Sequence, residues 1–75
     1  MGMKFYALVS TVYNHSQNEG WVDHDLVVDA INQQDARRMI RNWAKRKPRL
    51  ASQIIIDFVT KEQFDNDCLA DIQEL

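Results

Sequence analysis

Residues 21–30 read Trp21-Val22-Asp23-His24-Asp25-Leu26-Val27-Val28-Asp29-Ala30, and their alternation decides the fold class. Successive side chains of a strand point to opposite faces. On that period Val22, His24, Leu26, Val28 and Ala30 share one face, and Trp21, Asp23, Asp25, Val27 and Asp29 share the other. Acids on one side and aliphatics on the other predict a half-exposed strand.

Upstream, residues 4–13 (Lys-Phe-Tyr-Ala-Leu-Val-Ser-Thr-Val-Tyr) are rich in aromatic and β-branched types and predict a strand. Both faces are fairly apolar: Phe5, Ala7, Val9, Thr11 and Tyr13 on one, Tyr6, Leu8, Ser10 and Val12 on the other. Such a strand belongs in the middle of a sheet. The polar stretch 14–20 ends in Gly20 and reads as a hairpin loop of moderate length. The two strands should pair antiparallel.

Downstream, Asn32 is a suitable helix N-cap, and Asp35 falls where negative charge suits the first turn. Ala36, Met39, Ile40, Trp43, Ala44 and Lys47 then follow helical spacing. The helix is expected over 33–47, because Pro48 disfavours a helical residue before it. Residues 53–59 (Gln-Ile-Ile-Ile-Asp-Phe-Val) predict a third strand. Thr60 and Gln63 fit a capping box ahead of a short amphipathic helix carrying Phe64, Cys68, Leu69 and Ile72.

The expected fold is therefore α+β, in the order ββαβα: a three-stranded antiparallel sheet of order 2-1-3, one crossover helix and a short C-terminal helix. The expected core is Phe5, Leu8, Val9, Leu26, Val28, Met39, Ile40, Trp43, Ile54, Ile56, Phe58 and Leu69. Met1-Gly2-Met3 reads as an added start before a native one at Met3, so the single domain is expected over 3–75. Tyr6 stands where N-myristoylation of Gly2 would want Ser or Thr.

Composition limits the function classes. With 75 residues, 45% hydrophobic and 27% charged, the chain is an ordinary small globular domain. Its longest apolar run, Ile54-Ile55-Ile56, is far too short to cross a bilayer, so no membrane partner is expected. The single Cys68 cannot form an internal disulfide, and no signal peptide is visible, so a cytoplasmic location is expected. A domain this small buries only about 60% of its unfolded surface. A partner, or a second copy in a homodimer, is one source of added stability.

The charges are unevenly placed. Seven of the nine basic residues lie within 37–49 (Arg37, Arg38, Arg41, Lys45, Arg46, Lys47, Arg49), and that window holds no acid. The remaining residues carry −9, so a net charge of −2 conceals a strongly polar molecule. On a helix, Arg37, Arg38, Arg41 and Lys45 share the face opposite the apolar stripe, with Arg46 beside it and Arg49 past the proline. Such a surface grips phosphate or carboxylate, so it predicts an acidic protein partner or, alternatively, a nucleic acid. The bland reading is a solvated face whose cations complement the helix dipole. The second charged surface is Trp21, Asp23, Asp25 and Asp29, extended by Glu19 and the acids of the last helix. Here the bland reading is an edge strand whose charges discourage aggregation.

Reaction chemistry finds little support. Asp23-His24-Asp25 resembles a metal or acid–base cluster, but in a strand the histidine points away from both aspartates. His15 lies in the expected loop, Cys68 on an apolar face, and two glycines cannot build a phosphate-binding loop. The expectation is a non-enzymatic protein with no catalytic residues, no metal and no cofactor.

Lys4-Phe5 opening the first strand, Asp35-Ala36 opening the helix and Trp43 late in it give residues 4–59 a resemblance to a known group. These are the small ββαβ proteins of T7-like phages that bind and inhibit host RNA polymerase. The family's third strand carries basic residues that contact the polymerase. Here that strand reads Ile54-Ile55-Ile56-Asp57, with no arginine, so those contacts do not carry over. The resemblance implies a phage or mobile-element inhibitor or adaptor that acts by stoichiometric binding in the host cytoplasm. Its partner would be a host protein such as RNA polymerase or a defence complex.

Overall fold

The computed structural model describes residues 2–15, 18–47, 50–67 and 72–75, and at 14, 15, 18 and 19 the backbone alone. Strand β1 (Met3–His15) and strand β2 (Asn18–Ala30) form a long antiparallel hairpin. Helix α1 (Gln33–Lys45) crosses to strand β3 (Gln53–Val59), which pairs antiparallel with β1. Helix α2 (Lys61–Asp67) follows, and the chain ends in strand β4 (Ile72–Glu74). The sheet order is β3-β1-β2-β4.

The α+β class and the central place of β1 agree with the sequence reading. Other details do not. The sheet has four strands and is mixed, because β4 runs parallel to β2 at Asp25–Val27. Ile72 is thus in β4 and half-exposed, not on the apolar face of α2. The expected 14–20 loop is also much shorter. Pairing continues to His15 opposite Asn18, so Gly20 lies inside β2, opposite Tyr13. Polar side chains do not prevent pairing when a register set by the apolar rows carries the strands onward.

Register defines two faces. Phe5, Ala7, Val9 and Thr11 lie beside Val28, Leu26, His24 and Val22 of β2, and beside Phe58, Ile56 and Ile54 of β3. Helix α1 covers this face with Ala36, Ile40, Trp43 and Ala44, all buried. Small side chains at Ala7, Ala36 and Ala44 let the helix lie close to the sheet, so alanines placed on the apolar faces but left out of the expected core belong to it. Phe5, Met39, Ile54, Ile56 and Phe58 are only partly buried around that cluster. Leu8 belongs to the other face and is half-buried. There Phe64 of α2, 1% exposed, lies with its ring centroid 5.4 Å from that of Tyr6. Cys68 and Leu69 lie outside the described residues.

Both helices start as their sequences dictate. The Asn32 side chain accepts from the Asp35 backbone N–H at 2.7 Å, and Asp35 accepts in return from the Ile31 N–H. Thr60 Oγ1 accepts from the Gln63 N–H at 3.1 Å. Helix α1 ends at Lys45 rather than Lys47, where Arg46 caps it through 3₁₀-type bonding to Trp43.

Candidate functional site

The cations of α1 occupy two flanks of the helix rather than one outer face. Arg37 turns toward β3, its guanidinium 5.3 Å from the Phe58 ring centroid. On the other flank Arg38, Asn42 and Arg46 line a groove of about 530 Å³ with Met39, Trp43, Glu74 and Leu75. Arg41 and Lys45 are exposed. Lys47 follows the helix and lies over Trp43, 4.5 Å from that ring's centroid. Arg49 lies outside the described residues.

One acid enters this surface. Asp35, just ahead of the acid-free window, accepts from Arg38 Nε and Nη2. The Arg38 hydrogen bonds, aided by the Ile31 N–H, hold the Asp35 carboxyl below its ordinary range. Arg38 is therefore partly neutralised. The i, i+3 spacing that joins the two was legible in the sequence.

The acidic residues face the other way. Asp23, Asp25 and Asp29 project from the side of the sheet opposite α1, together with Trp21. Asp23 accepts from Ser10 Oγ at 2.7 Å. Asp25 is only 5% exposed, in a recess of about 300 Å³ with Leu8, Ser10, Asp23 and Asp67. Asp29 is exposed. Strand β4 covers the outer side of β2 only at Asp25–Val27, so among the described residues Trp21 and Asp23 stay on an open edge while Asp25 does not. Glu62, Asp65 and Asp67 of α2 and Asp57 of β3 add to the same side. Trp21, 70% exposed, stands in a row with Val12 and Gln53 across the sheet. The side chain of Glu19 lies outside the described residues.

His24 separates from both aspartates and lies under α1. Its Nε2 is 3.1 Å from Thr11 Oγ1, and its ring meets Trp43 edge-on at 4.8 Å. Burial is the main cause that lowers its pKa from the ordinary 6.5, and Lys47 adds to it; Asp23 and Asp25 oppose the shift. The unfolded chain then binds more protons than the folded one just below that value. Stability is expected to fall as pH drops through 6.5 and to level off once the folded imidazole is also protonated. Urea midpoints at neutral and mildly acidic pH check this. His24→Asn should flatten the dependence, and Lys47→Gln should reduce it. Asp35 acts in a lower window, because a depressed carboxyl loses its contribution only as pH falls through the acidic range.

Among the described residues no three His, Cys, Asp or Glu side chains converge to hold a metal ion. The side chain of His15 and all of Cys68 lie outside the described residues. No helix among the described residues is long and apolar enough to cross a membrane. No protein-family model, characterised protein or solved structure matches the chain.

Proposed function

We propose that this chain is a non-enzymatic binding protein that engages a host protein, in the manner of a phage or mobile-element inhibitor or adaptor working in the cytoplasm. The observation that carries the reading is the division of charge by the sheet. The cations Arg37, Arg38, Arg41, Lys45 and Arg46 belong to the helix on one face, and Trp21, Asp23 and Asp29 are exposed on the other, with Asp25 recessed among them. Two surfaces of opposite sign, one with an exposed tryptophan, suit complementary contacts with a protein, where tryptophan and arginine contribute most of the binding energy. A phosphate backbone suits the molecule less well, because the acidic side repels it and Asp35 partly neutralises Arg38.

Affinity capture from a nuclease-treated host lysate tests the reading. A stoichiometric protein partner is expected. It should be lost either by Arg37→Ala/Arg38→Ala/Arg41→Ala or by Trp21→Ala/Asp23→Asn. Titration against DNA and RNA at low salt separates the nucleic-acid alternative. Phosphate binding through about five cations would show a log–log salt slope of roughly −4 on duplex DNA, flattened by the triple arginine variant. Such a slope, with no protein captured, would replace this reading by the alternative.

A further inference from the structure

Among the described residues one edge of the sheet is partly covered and the other is not; residues 18–24 of β2 also lack an outer strand, but that stretch carries Glu19, Gly20 and Asp23. The outer side of β2 takes β4 at Asp25–Val27, and Leu75 continues that pairing, accepting from the Asp29 N–H and donating to the Val27 carbonyl. Among the described residues no strand pairs with the outer side of β3. Half of the backbone groups of an unpaired edge point outward and form a template for another strand. Native edges are usually blunted by lysine, proline, glycine or a bulge. Strand β3 reads Gln53-Ile-Ile-Ile-Asp-Phe-Val59, with none of those residue types and one charge, Asp57. Ile55 is 48% exposed, and Ile54, Ile56 and Phe58 are only half-buried.

We infer that β3 pairs antiparallel with β3 of a second copy, giving a two-fold dimer whose eight-stranded sheet is continuous. The strand is complementary to itself in one register. With Ile56 on the axis, all seven residues overlap. On the α1 side, Ile54 meets Phe58 of the second copy and Ile56 meets its own counterpart. On the other side, Ile55 meets Asp57 of the second copy, and Gln53 meets its Val59. A shift of two residues either way shortens the overlap to five residues. The shift that centres residue 57 also sets Asp57 against Asp57, and directly opposed like charges are destabilising.

The helices give this dimer a distinctive salt response. Arg37 lies over Phe58 beside the edge, Arg41 follows at i+4 turned further toward solvent, and Lys45 at i+8 faces away from the sheet. Pairing brings the two α1 helices face to face across a cleft. Each helix lies mainly over β2, and the two β2 strands are about 24 Å apart, five interstrand spacings, so only the long side chains reach into the cleft. The facing cations repel, and salt screens that repulsion. Self-association should therefore strengthen as sodium chloride rises. Docking of α1 of one copy on the acidic face of another would weaken instead.

Sedimentation of the full chain from about 10 µM to about 1 mM, the range of a small weak interface, tests the inference. A monomer–dimer equilibrium that saturates at two copies and tightens with salt is expected. Ile55→Asp places two carboxylate pairs across the axis and should weaken the dimer by about tenfold. Ile55→Lys places a cation opposite each Asp57 and should hold the dimer or tighten it. Position 55 is exposed, so both variants should keep the wild-type circular dichroism. A chain that stays monomeric throughout the range would overturn the inference. So would growth past two copies, association that salt weakens, or equal effects of the two variants. The inference is independent of any host partner, and its failure would leave the binding function untouched.

Discussion

Phe64→Ala is expected to lower the unfolding free energy by about 3–5 kcal/mol. That is a large share of the roughly 4–11 kcal/mol typical of a domain this size. The reason is the dependence of α2 on one side chain. At seven residues the helix is far too short to hold its conformation alone. The Thr60 cap closes one end, and Phe64 is the only side chain of α2 that is buried. Its ring lies on Tyr6, on the side of the sheet that α1 does not reach. Without it α2 should detach, uncovering Tyr6. A urea midpoint shifted by the equivalent of less than about 1 kcal/mol would show that α2 is not docked in solution.

Leu26→Ala is expected to cost about 2–5 kcal/mol, lowering Tm by at least about 10 °C. Leu26 is fully buried, opposite Ala7, in the row that α1 covers. Ala7, directly opposite, is too small to fill the space that Leu26 leaves, and the helix is fixed by its other contacts. Val22, on the same face of the same strand but 48% exposed beyond the helix, gives the contrast. Val22→Ala should change stability by no more than about 0.5 kcal/mol. Equal losses in the two variants would mean that α1 does not end where it is placed.

The period of 21–30 was enough to orient β2, because the acids and the aliphatics fall on separate faces. The two apolar faces of 4–13 were enough to place β1 centrally. Asn32 and Thr60 announced the helix starts through their side-chain oxygens. What could not be read is instructive. Strand β4 has three residues, all exposed, and it exists through backbone bonds to β2 that leave no side-chain pattern. The alanines of the core fell on the right faces in the periodicity. Their size gave no sign that they would be buried more fully than Phe5, Met39 or Ile54, since only small residues fit where helix and sheet approach closely. The cations of α1 read as one face because helical spacing fixes their angles about the axis but not what lies beneath them. Phe58 below Arg37 and the Glu74–Leu75 segment beside Arg46 draw them to opposite sides. Asp25 looked like a surface acid because alternation cannot foresee a recess on the outer face.

The molecule measures 43 × 24 × 16 Å, and its Cα radius of gyration is 12.7 Å, against about 11 Å for a compact chain of this length. Thin plates that carry cations on one side and carboxylates on the other possess a dipole moment across their shortest dimension. Such a body turns in the field of a charged surface before touching it, so the face it presents on arrival is chosen during diffusion rather than by trial after collision. Orientation, not only affinity, is then encoded in the separation of a few arginines from a few aspartates by a single layer of strands.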